Sequence, residues 1–313
     1  MSDTPPIIRL ATRASRLALW QTEHVAALLS QAGLATEIVS MQTVGDKVLD
    51  RSLAKIGAKG VFTEELEESL RHGDTHLAIH SAKDVQSTLP PDLELLAFLE
   101  REQVNDVVVS FQEDFDLRKP GIVLGTSSTR RRALLRRFYP QANLAEMRGN
   151  LQTRLRKLQE GQADALVLAY AGVHRMGYDA LIRHVLPAEQ FVPPVGQGSI
   201  AVECARTLDG GLKAQIKQAL DHTTTHRCLL AERAFLRTME GGCSIPSFAL
   251  ATLTTEGDIR LHGGLVSLGG EEYVDVVQTA PAAQAEGLGM AVAGQVLDSG
   301  GAAIMASIRE ARG

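Results

Sequence analysis

The chain has 313 residues, 44% hydrophobic and 22% charged, a composition typical of a globular protein with more than one hydrophobic core. Its formal net charge of -5 argues against a nucleic-acid binder, because neutralising a phosphate backbone requires a basic surface. The N-terminus lacks a basic-then-apolar signal pattern, and no apolar run approaches the ~18 residues of a membrane span. We therefore expect a cytoplasmic protein that contacts no membrane.

The three cysteines are odd in number and widely spaced, at Cys204, Cys228 and Cys243. This spacing favours reduced thiols over a disulfide framework or a zinc cluster, and we expect no metal site.

The first predicted elements form a βαβ unit. A strand over 7–11 is followed by a helix whose apolar positions recur near a 3.6 period, and a second strand follows over 37–41. The turn before the helix carries Arg13 and Ser15, which are candidates for binding a carboxylate or phosphate because helix N-termini attract anions. A capping serine beside a solvated arginine explains the same residues equally well.

A glycine-punctuated segment over 53–62 carries Lys55 and Lys59 and precedes a helix that Thr63 could cap. Its spacing predicts a mobile loop and excludes a P-loop, since the Lys-Ser/Thr ending is missing. The next strand, over 77–79, runs directly into polar residues 80–84. Ligands collect at the carboxyl ends of strands in open α/β sheets, so Lys83 and Asp84 are candidates for anion binding and proton or cation handling. The alternative is a surface ion pair.

A second α/β set follows a charged, irregular crossing over 100–106. Its first predicted strand, over 122–124, ends in Gly-Thr-Ser-Ser, and a helix then opens with Thr-Arg-Arg-Arg at 129–132. Hydroxyls, backbone N–H groups and guanidinium forks converge there, which predicts a carboxylate site. From 130 to 157 the chain carries eight arginines and one lysine against a single acid, Glu146. A second helix begins after 148–150, and a strand over 165–169 closes the set.

The segment over 193–198 has the composition of a hinge, and a short strand over 199–203 follows it. A helix over 226–239 leads into the Gly-Gly-Cys loop that holds Cys243, and strands over 248–253, 259–266 and 273–278 and a helix over 282–297 complete an α+β domain. The loop fits either a helix C-cap with a small buried cysteine or a thiol presented as an attachment point.

Seven motifs occur in one order along the chain: 11–13, the lysine pair in 53–62, 80–84, 125–131, 148–150, 195–198 and 240–243. Together they closely resemble the porphobilinogen deaminase (hydroxymethylbilane synthase) family. The resemblance implies two periplasmic-binding-protein-like, doubly wound α/β domains around a cleft, formed by 1–101 with 197–218 and by 102–196. It also implies a smaller α+β cofactor-attachment domain over 219–313, and a monomer.

The resemblance further implies a dipyrromethane cofactor held by a thioether to Cys243. Four molecules of porphobilinogen are added to this primer with loss of ammonia, and hydrolysis releases hydroxymethylbilane. Asp84 takes the catalytic role, stabilising positive charge on a pyrrole nitrogen. The implied cofactor contacts are Ser81, Lys83, Asp84, Thr126, Ser128, Arg130, Arg131 and Gly172. The implied substrate contacts are Arg13, Ser15, Lys55, Lys59, Phe62, Arg148, Arg154 and Gln197.

Four positions depart from the family pattern, at Arg16, Val44, Ala82 and Gln86, and they put loop rigidity and rate in doubt without removing a catalytic group. Two other functions fit parts of the sequence. A non-catalytic, two-lobed protein that binds a small anion would need neither the third domain nor Asp84. A phosphate-ester enzyme would use the Ser-Arg helix terminus but lacks an evident set of metal ligands.

Overall fold

The computed structural model describes residues 7–43, 63–240 and 245–311. The strands of these ranges are β1 (Ile8–Arg13), β2 (Thr36–Met41), β3 (Leu77–Ser81), β4 (Leu93–Phe98), β5 (Asp106–Val109), β6 (Val123–Gly125), β7 (Asn143–Ala145), β8 (Ala165–Ala169), β9 (Ile182–Val185), β10 (Ile200–Ala205), β11 (Ser247–Leu253), β12 (Asp258–Val266) and β13 (Tyr273–Pro281).

The α-helices of the same ranges are α1 (Arg16–Gln31), α2 (Glu64–His72), α3 (Thr129–Phe138), α4 (Leu151–Gln159), α5 (Tyr170–Arg175), α6 (Gly210–Leu220), α7 (Thr223–Thr238), α8 (Ala285–Val296) and α9 (Ala302–Glu310). Short 3₁₀ segments lie at Ala82–Asp84, Asp179–Leu181 and Ala282–Gln284. The chain divides into two compact units, Met1–Arg101 with Ser199–His226, and Glu102–Gly198 with Arg227–Gly313.

The first unit is built on a five-stranded sheet of order β2-β1-β3-β10-β4. β1 runs parallel to β2 and β3, while β10 enters antiparallel between β3 and β4. One face packs against α1 and α6 through residues such as Val25 and Ile216, and the other packs against α2 through Leu66 and Leu70. Both faces are therefore covered, as an α/β sheet with near-continuous apolar strands requires.

The second unit contains a five-stranded sheet of order β7-β6-β8-β5-β9, in which β6 is parallel to β7 and β8 and β5 is antiparallel to its neighbours. Successive residues of β5 alternate between faces, so Val108 packs with Leu134 of α3 while Val107 packs with Leu155 of α4. The predicted strand over 165–169 is β8, fully buried.

The same unit holds an antiparallel sheet of order β11-β12-β13. One of its faces forms a core with the helices α7, α8 and α9, to which Phe235, Val292 and Ile304 contribute. On its other face Phe248 and Val266 belong to the core on the α3 side of the five-stranded sheet. The predicted fold class, α/β with a smaller α+β C-terminal part, is confirmed.

The C-terminal helix differs from its prediction over 282–297. It begins as α8, is interrupted at Gly300, where φ is 109°, and continues as α9. The segment Ala282–Glu310 is long and apolar enough to satisfy a membrane-span test, contrary to the expectation of no such run. Core helices of globular proteins satisfy the same test, and Val292, Val296 and Ile304 are buried in the core described above.

Candidate active site

In the first unit, the predicted anion-binding residues lie at one edge of the sheet. Arg13 ends β1, and Ser15 is the N-cap of α1, its Oγ accepting a hydrogen bond from the N–H of Ala18 at 3.4 Å. β1 and β3 are parallel neighbours, with Ala11 paired to Ala78, so their carboxyl ends meet. The structure therefore brings Arg13 and Ser15 to the edge where β3 ends.

β3 ends at Ser81, whose Oγ accepts a hydrogen bond from Nε2 of Gln21 at 3.0 Å. The next three residues, Ala82–Asp84, form a single 3₁₀ turn. Ala82 is buried, Lys83 is half-buried and Asp84 is exposed. A short turn after a buried strand thus presents a carboxylate to solvent beside an ammonium group, with the Arg13–Ser15 turn at the same edge.

Glu203 lies behind this edge and was not singled out from the sequence. Its Oε2 lies 2.9 Å from Nε2 of His80, and both side chains are at most 4% exposed. The register explains the contact, because β10 pairs antiparallel with β3 and puts Glu203 opposite Ala78, on the face that His80 shares. The sequence signal was one acid at the end of the strand predicted over 199–203, directly after three apolar residues.

In the second unit, the loop between β6 and α3 forms the predicted hydroxyl-rich helix terminus. Ser128 is the N-cap of α3, and its Oγ accepts from the N–H of Arg131 at 3.4 Å. Oγ1 of the buried Thr126 accepts from the N–H of Ser128 at 3.3 Å. The polar groups of this loop are therefore fixed by the helix that they begin.

Arg130 and Arg131 are buried and bind a carboxylate of the protein itself, on Asp106. Arg131 donates from Nη2 to Oδ1 at 2.7 Å, and Arg130 donates from Nη2 to Oδ2. Arg131 also donates from Nε to Oδ1 at 3.1 Å. The Nη1 groups donate to backbone carbonyls, that of Arg130 to Val192 and that of Arg131 to Val167. The sequence predicted both arginines at the site but not this partner.

Asp106 is completely buried at the start of β5 and also accepts from Nε2 of Gln197 at 3.0 Å. Burial alone raises the pKa of its carboxyl, but the charges and hydrogen bonds of Arg130 and Arg131 outweigh that effect and hold the pKa well below its usual value. One carboxylate against two guanidinium groups leaves a net positive charge. A carboxylate of a ligand would neutralise that charge.

Residues 148–154 follow β7 and begin α4. Asn150 is the N-cap, its Oδ1 accepting from the N–H of Thr153 at 2.9 Å. Arg154 donates from Nε to the carbonyl of Gly149 at 2.7 Å, and Arg148 donates to Glu146. β6 is parallel to β7 and β8, so Thr126, Arg148 and Gly172, which follow these strands, collect at one sheet edge.

The predicted hinge over 193–198 is bonded to α7. Glu232 is fully buried there and accepts from the N–H of Gly196 and the N–H of Ala251, each at 2.8 Å. Four predicted site residues, Lys55, Lys59, Phe62 and Cys243, lie outside the described residues.

Each α/β unit thus gathers hydroxyls, a helix N-terminus and basic side chains at the carboxyl edge of its sheet, and the first unit adds an exposed carboxylate. In each unit this arrangement is typical of the anion-binding α/β class. Two family profiles match the chain: "Porphobilinogen deaminase, dipyromethane cofactor binding domain" over residues 8–210 and "Porphobilinogen deaminase, C-terminal domain" over 226–298. The chain therefore belongs to the porphobilinogen deaminase family.

Individual relatives match this chain over nearly its whole length. A porphobilinogen deaminase of Cytophaga hutchinsonii is 53% identical over 304 residues, 97% of each chain. That of Desulfosudis oleivorans is 49% identical over 306 residues, covering 97% of this chain and 98% of the relative.

Solved structures with similar coordinates include the periplasmic VFT2 domain of Bordetella pertussis BvgS and the methionine-binding protein MetQ. The first is 20% identical with a TM-score of 0.42, over 68% of this chain and 86% of that one. The second is 13% identical with a TM-score of 0.43, over 68% and 89%.

Proposed function

We propose that this chain is a transferase that joins four molecules of porphobilinogen to a dipyrromethane primer, with loss of ammonia, and then releases hydroxymethylbilane by hydrolysis. One observation carries the proposal: relatives that bear the name porphobilinogen deaminase match 97% of the chain at about half identity. The site chemistry is consistent with this reaction, which belongs to tetrapyrrole and haem biosynthesis.

The basic edges of both sheets suit the carboxylates of the reactants. Each porphobilinogen ring carries an acetate and a propionate, which guanidinium groups and helix N-termini bind well. In this proposal Ser128, Arg130 and Arg131 hold primer carboxylates, and Arg13, Arg148 and Arg154 hold those of the substrate and growing chain. The uncompensated charge beside Asp106 supports the first assignment, because a buried positive charge is costly without a partner.

The primer, when bound, would supply the free pyrrole carbon to which the first ring is joined, and each later ring would be joined to the ring added before it. Asp84 is the group we assign to catalysis. Its carboxylate sits on the turn after β3, where it can hold a pyrrole N–H and stabilise positive charge on that nitrogen while the leaving amine departs. Lys83 and Ser81 occupy the same turn and strand end, and we assign them to primer carboxylates.

We propose that the primer is attached to the sulfur of Cys243 through a thioether bond. The support is its place in the chain, after α7 and in the order of motifs that resembles the family. The other two cysteines, Cys204 and Cys228, are buried. Burial raises the pKa of the Cys204 thiol to about 11, so this thiol is poorly suited to act as a thiolate.

We further propose that the chain is a monomer in the cytoplasm and that it binds neither nucleic acid nor a membrane. The net charge of -5 supports the exclusion of nucleic acid.

The test is consumption of porphobilinogen by the purified chain, with Asp84→Ala as the informative variant and Asp114→Ala, at another exposed aspartate, as its control. We expect wild type and control to turn over and Asp84→Ala to lose more than about 100-fold in kcat while keeping the wild-type melting temperature. A wild-type chain that binds small carboxylates without consuming porphobilinogen would favour the non-catalytic anion-binding alternative.

A further inference from the structure

We propose that Gln86 is a positioning residue for Asp84: its side chain anchors the Ala82–Asp84 turn to helix α2. The inference rests on the proposed function and concerns the first unit alone. Gln86 lies two residues after Asp84, at a position where the sequence departs from the family pattern.

The anchor is a small buried network at the beginning of α2. Nε2 of Gln86 donates to Oε1 of Glu67 at 3.1 Å and lies 3.4 Å from Oγ1 of Thr63. Thr63 in turn donates from Oγ1 to the same Glu67 oxygen at 2.6 Å. This contact replaces the side-chain cap expected of Thr63, whose hydroxyl makes no bond to the helix backbone.

Glu67 is a fixed acceptor for Gln86. It is 4% exposed, lies in the first turn of α2, and its other oxygen is 3.5 Å from Nη2 of Arg71. Thr63 is 3% exposed. A hydrogen bond from a neutral amide to a buried, already oriented carboxylate is among the stronger side-chain bonds of a protein. Gln86 is therefore tied to the helix at a defined point.

The turn is held on its other side as well. The N–H of Ala82 donates to the carbonyl of Ser199 at 2.9 Å, and Val85 is buried with its N–H directed to the carbonyl of Ala82 at 3.4 Å. Asp84 is the exposed residue between these two anchors. Loss of the Gln86 anchor would let the turn shift relative to the sheet edge, and displacements of about 1 Å at a catalytic group cost up to about 100-fold in rate.

The backbone offers a specific rescue. Val85 has φ -75° and ψ 136°, the extended conformation that a residue before proline adopts. The conformation of Val85 therefore allows a proline at position 86, and proline would restrict the backbone there without any side-chain hydrogen bond.

The experiment compares Gln86→Ala and Gln86→Pro with wild type, measuring kcat and KM for porphobilinogen and the melting temperature. Gln112→Ala, at an exposed glutamine of the other unit, is the matched control. We expect Gln86→Ala to lower kcat about tenfold with KM changed by less than about twofold, and Gln86→Pro to restore kcat to within about threefold of wild type. If Gln86 served only to stabilise the fold, Gln86→Ala would lower the melting temperature without lowering kcat at a nearly constant KM.

Two results would overturn the positioning role: wild-type kcat in Gln86→Ala, or a Gln86→Pro enzyme as slow as Gln86→Ala. If Gln86→Ala fails to fold, Thr63→Val is the second variant. It keeps helix α2 but removes the hydroxyl that accepts from Gln86. An unchanged kcat in Thr63→Val would count against the network. A wild-type chain that does not consume porphobilinogen would refute the proposed function itself, which is a distinct outcome.

Discussion

Replacement of Asp106 by asparagine should be among the most destabilising single changes in the second unit. The carboxylate is completely buried, binds Arg130 and Arg131 through both of its oxygens, and accepts from Gln197. Asparagine keeps the size of the side chain but removes its charge, so two buried guanidinium groups would face each other without a counter-charge.

The size of the effect follows from the burial. Removing one partner of a buried ion pair typically costs about 3 to 5 kcal/mol, because the other charge stays buried and unpaired. Solvent does not screen this ion pair, because the carboxylate of Asp106 is 0% exposed, so the full cost applies. At about 2 to 4 °C per kcal/mol for a domain of this size, the melting temperature should fall by roughly 6 to 20 °C.

The pH dependence has a definite sign. The pKa of Asp106 is lower in the folded chain than in the unfolded chain, so its stabilising contribution is complete above its unfolded pKa of about 4 and is lost as pH falls below it. The difference in stability between wild type and Asp106→Asn should therefore be constant from pH 5 to 7, to within about 0.5 kcal/mol, and should shrink below about pH 4.

Urea unfolding followed by far-UV circular dichroism measures this difference. The single tryptophan, Trp20, lies in the first unit, so its fluorescence is the less suitable probe. Asp114→Asn, at an exposed position, is the control and should change stability by less than about 0.5 kcal/mol. A loss below about 1 kcal/mol for Asp106→Asn would refute the view that this carboxylate balances the two arginines.

Two further substitutions test contacts in the second unit. Glu232→Gln should lower the free energy of unfolding, measured with urea, by about 2 to 4 kcal/mol. The reason is that an amide has one acceptor oxygen, whereas the carboxylate accepts from two buried N–H donors at 2.8 Å. A loss as small as that of the exposed control Glu189→Gln would contradict this. Gly264→Ala should lose at least about 1 to 3 kcal/mol, since an added Cβ would lie 2.5 Å from a backbone carbonyl oxygen, whereas Gly210→Ala, with open space around it, should be neutral or stabilising. If the two alanine variants were equally stable, β12 would accommodate the added Cβ without strain, and the prediction for Gly264 would be wrong.

Much of the fold could be read from local patterns. The predicted strands over 77–79, 122–124 and 165–169 coincide with β3, β6 and β8, because buried parallel strands are short apolar runs with polar residues at their carboxyl ends. The capping role of Ser15, one of the two explanations given for its turn, is equally local, since its Oγ bonds to a backbone N–H three residues away. Periodicity and spacing are sufficient for such features.

The partners of the site residues could not be predicted in this way. Asp106 meets Arg130 across 24 residues and Gln86 meets Glu67 across 19, and such pairings depend on strand order and helix packing. Four strands, β4, β5, β7 and β9, were not predicted. β9 is a half-exposed edge strand, and it pairs only with β5 among the described strands. A single carboxylate at the start of a valine run was the only local signal for Asp106.

The intact mass of the purified, denatured chain tests the central claim most directly, because that claim joins a covalent primer to Cys243. Wild type isolated from cells that make porphobilinogen should carry an added mass equal to two pyrrole units, and Cys243→Ala should lack it, while Cys228→Ala, at a buried cysteine of the same unit, should retain it. A wild-type chain without the increment, or an increment that persists in Cys243→Ala, would contradict the account.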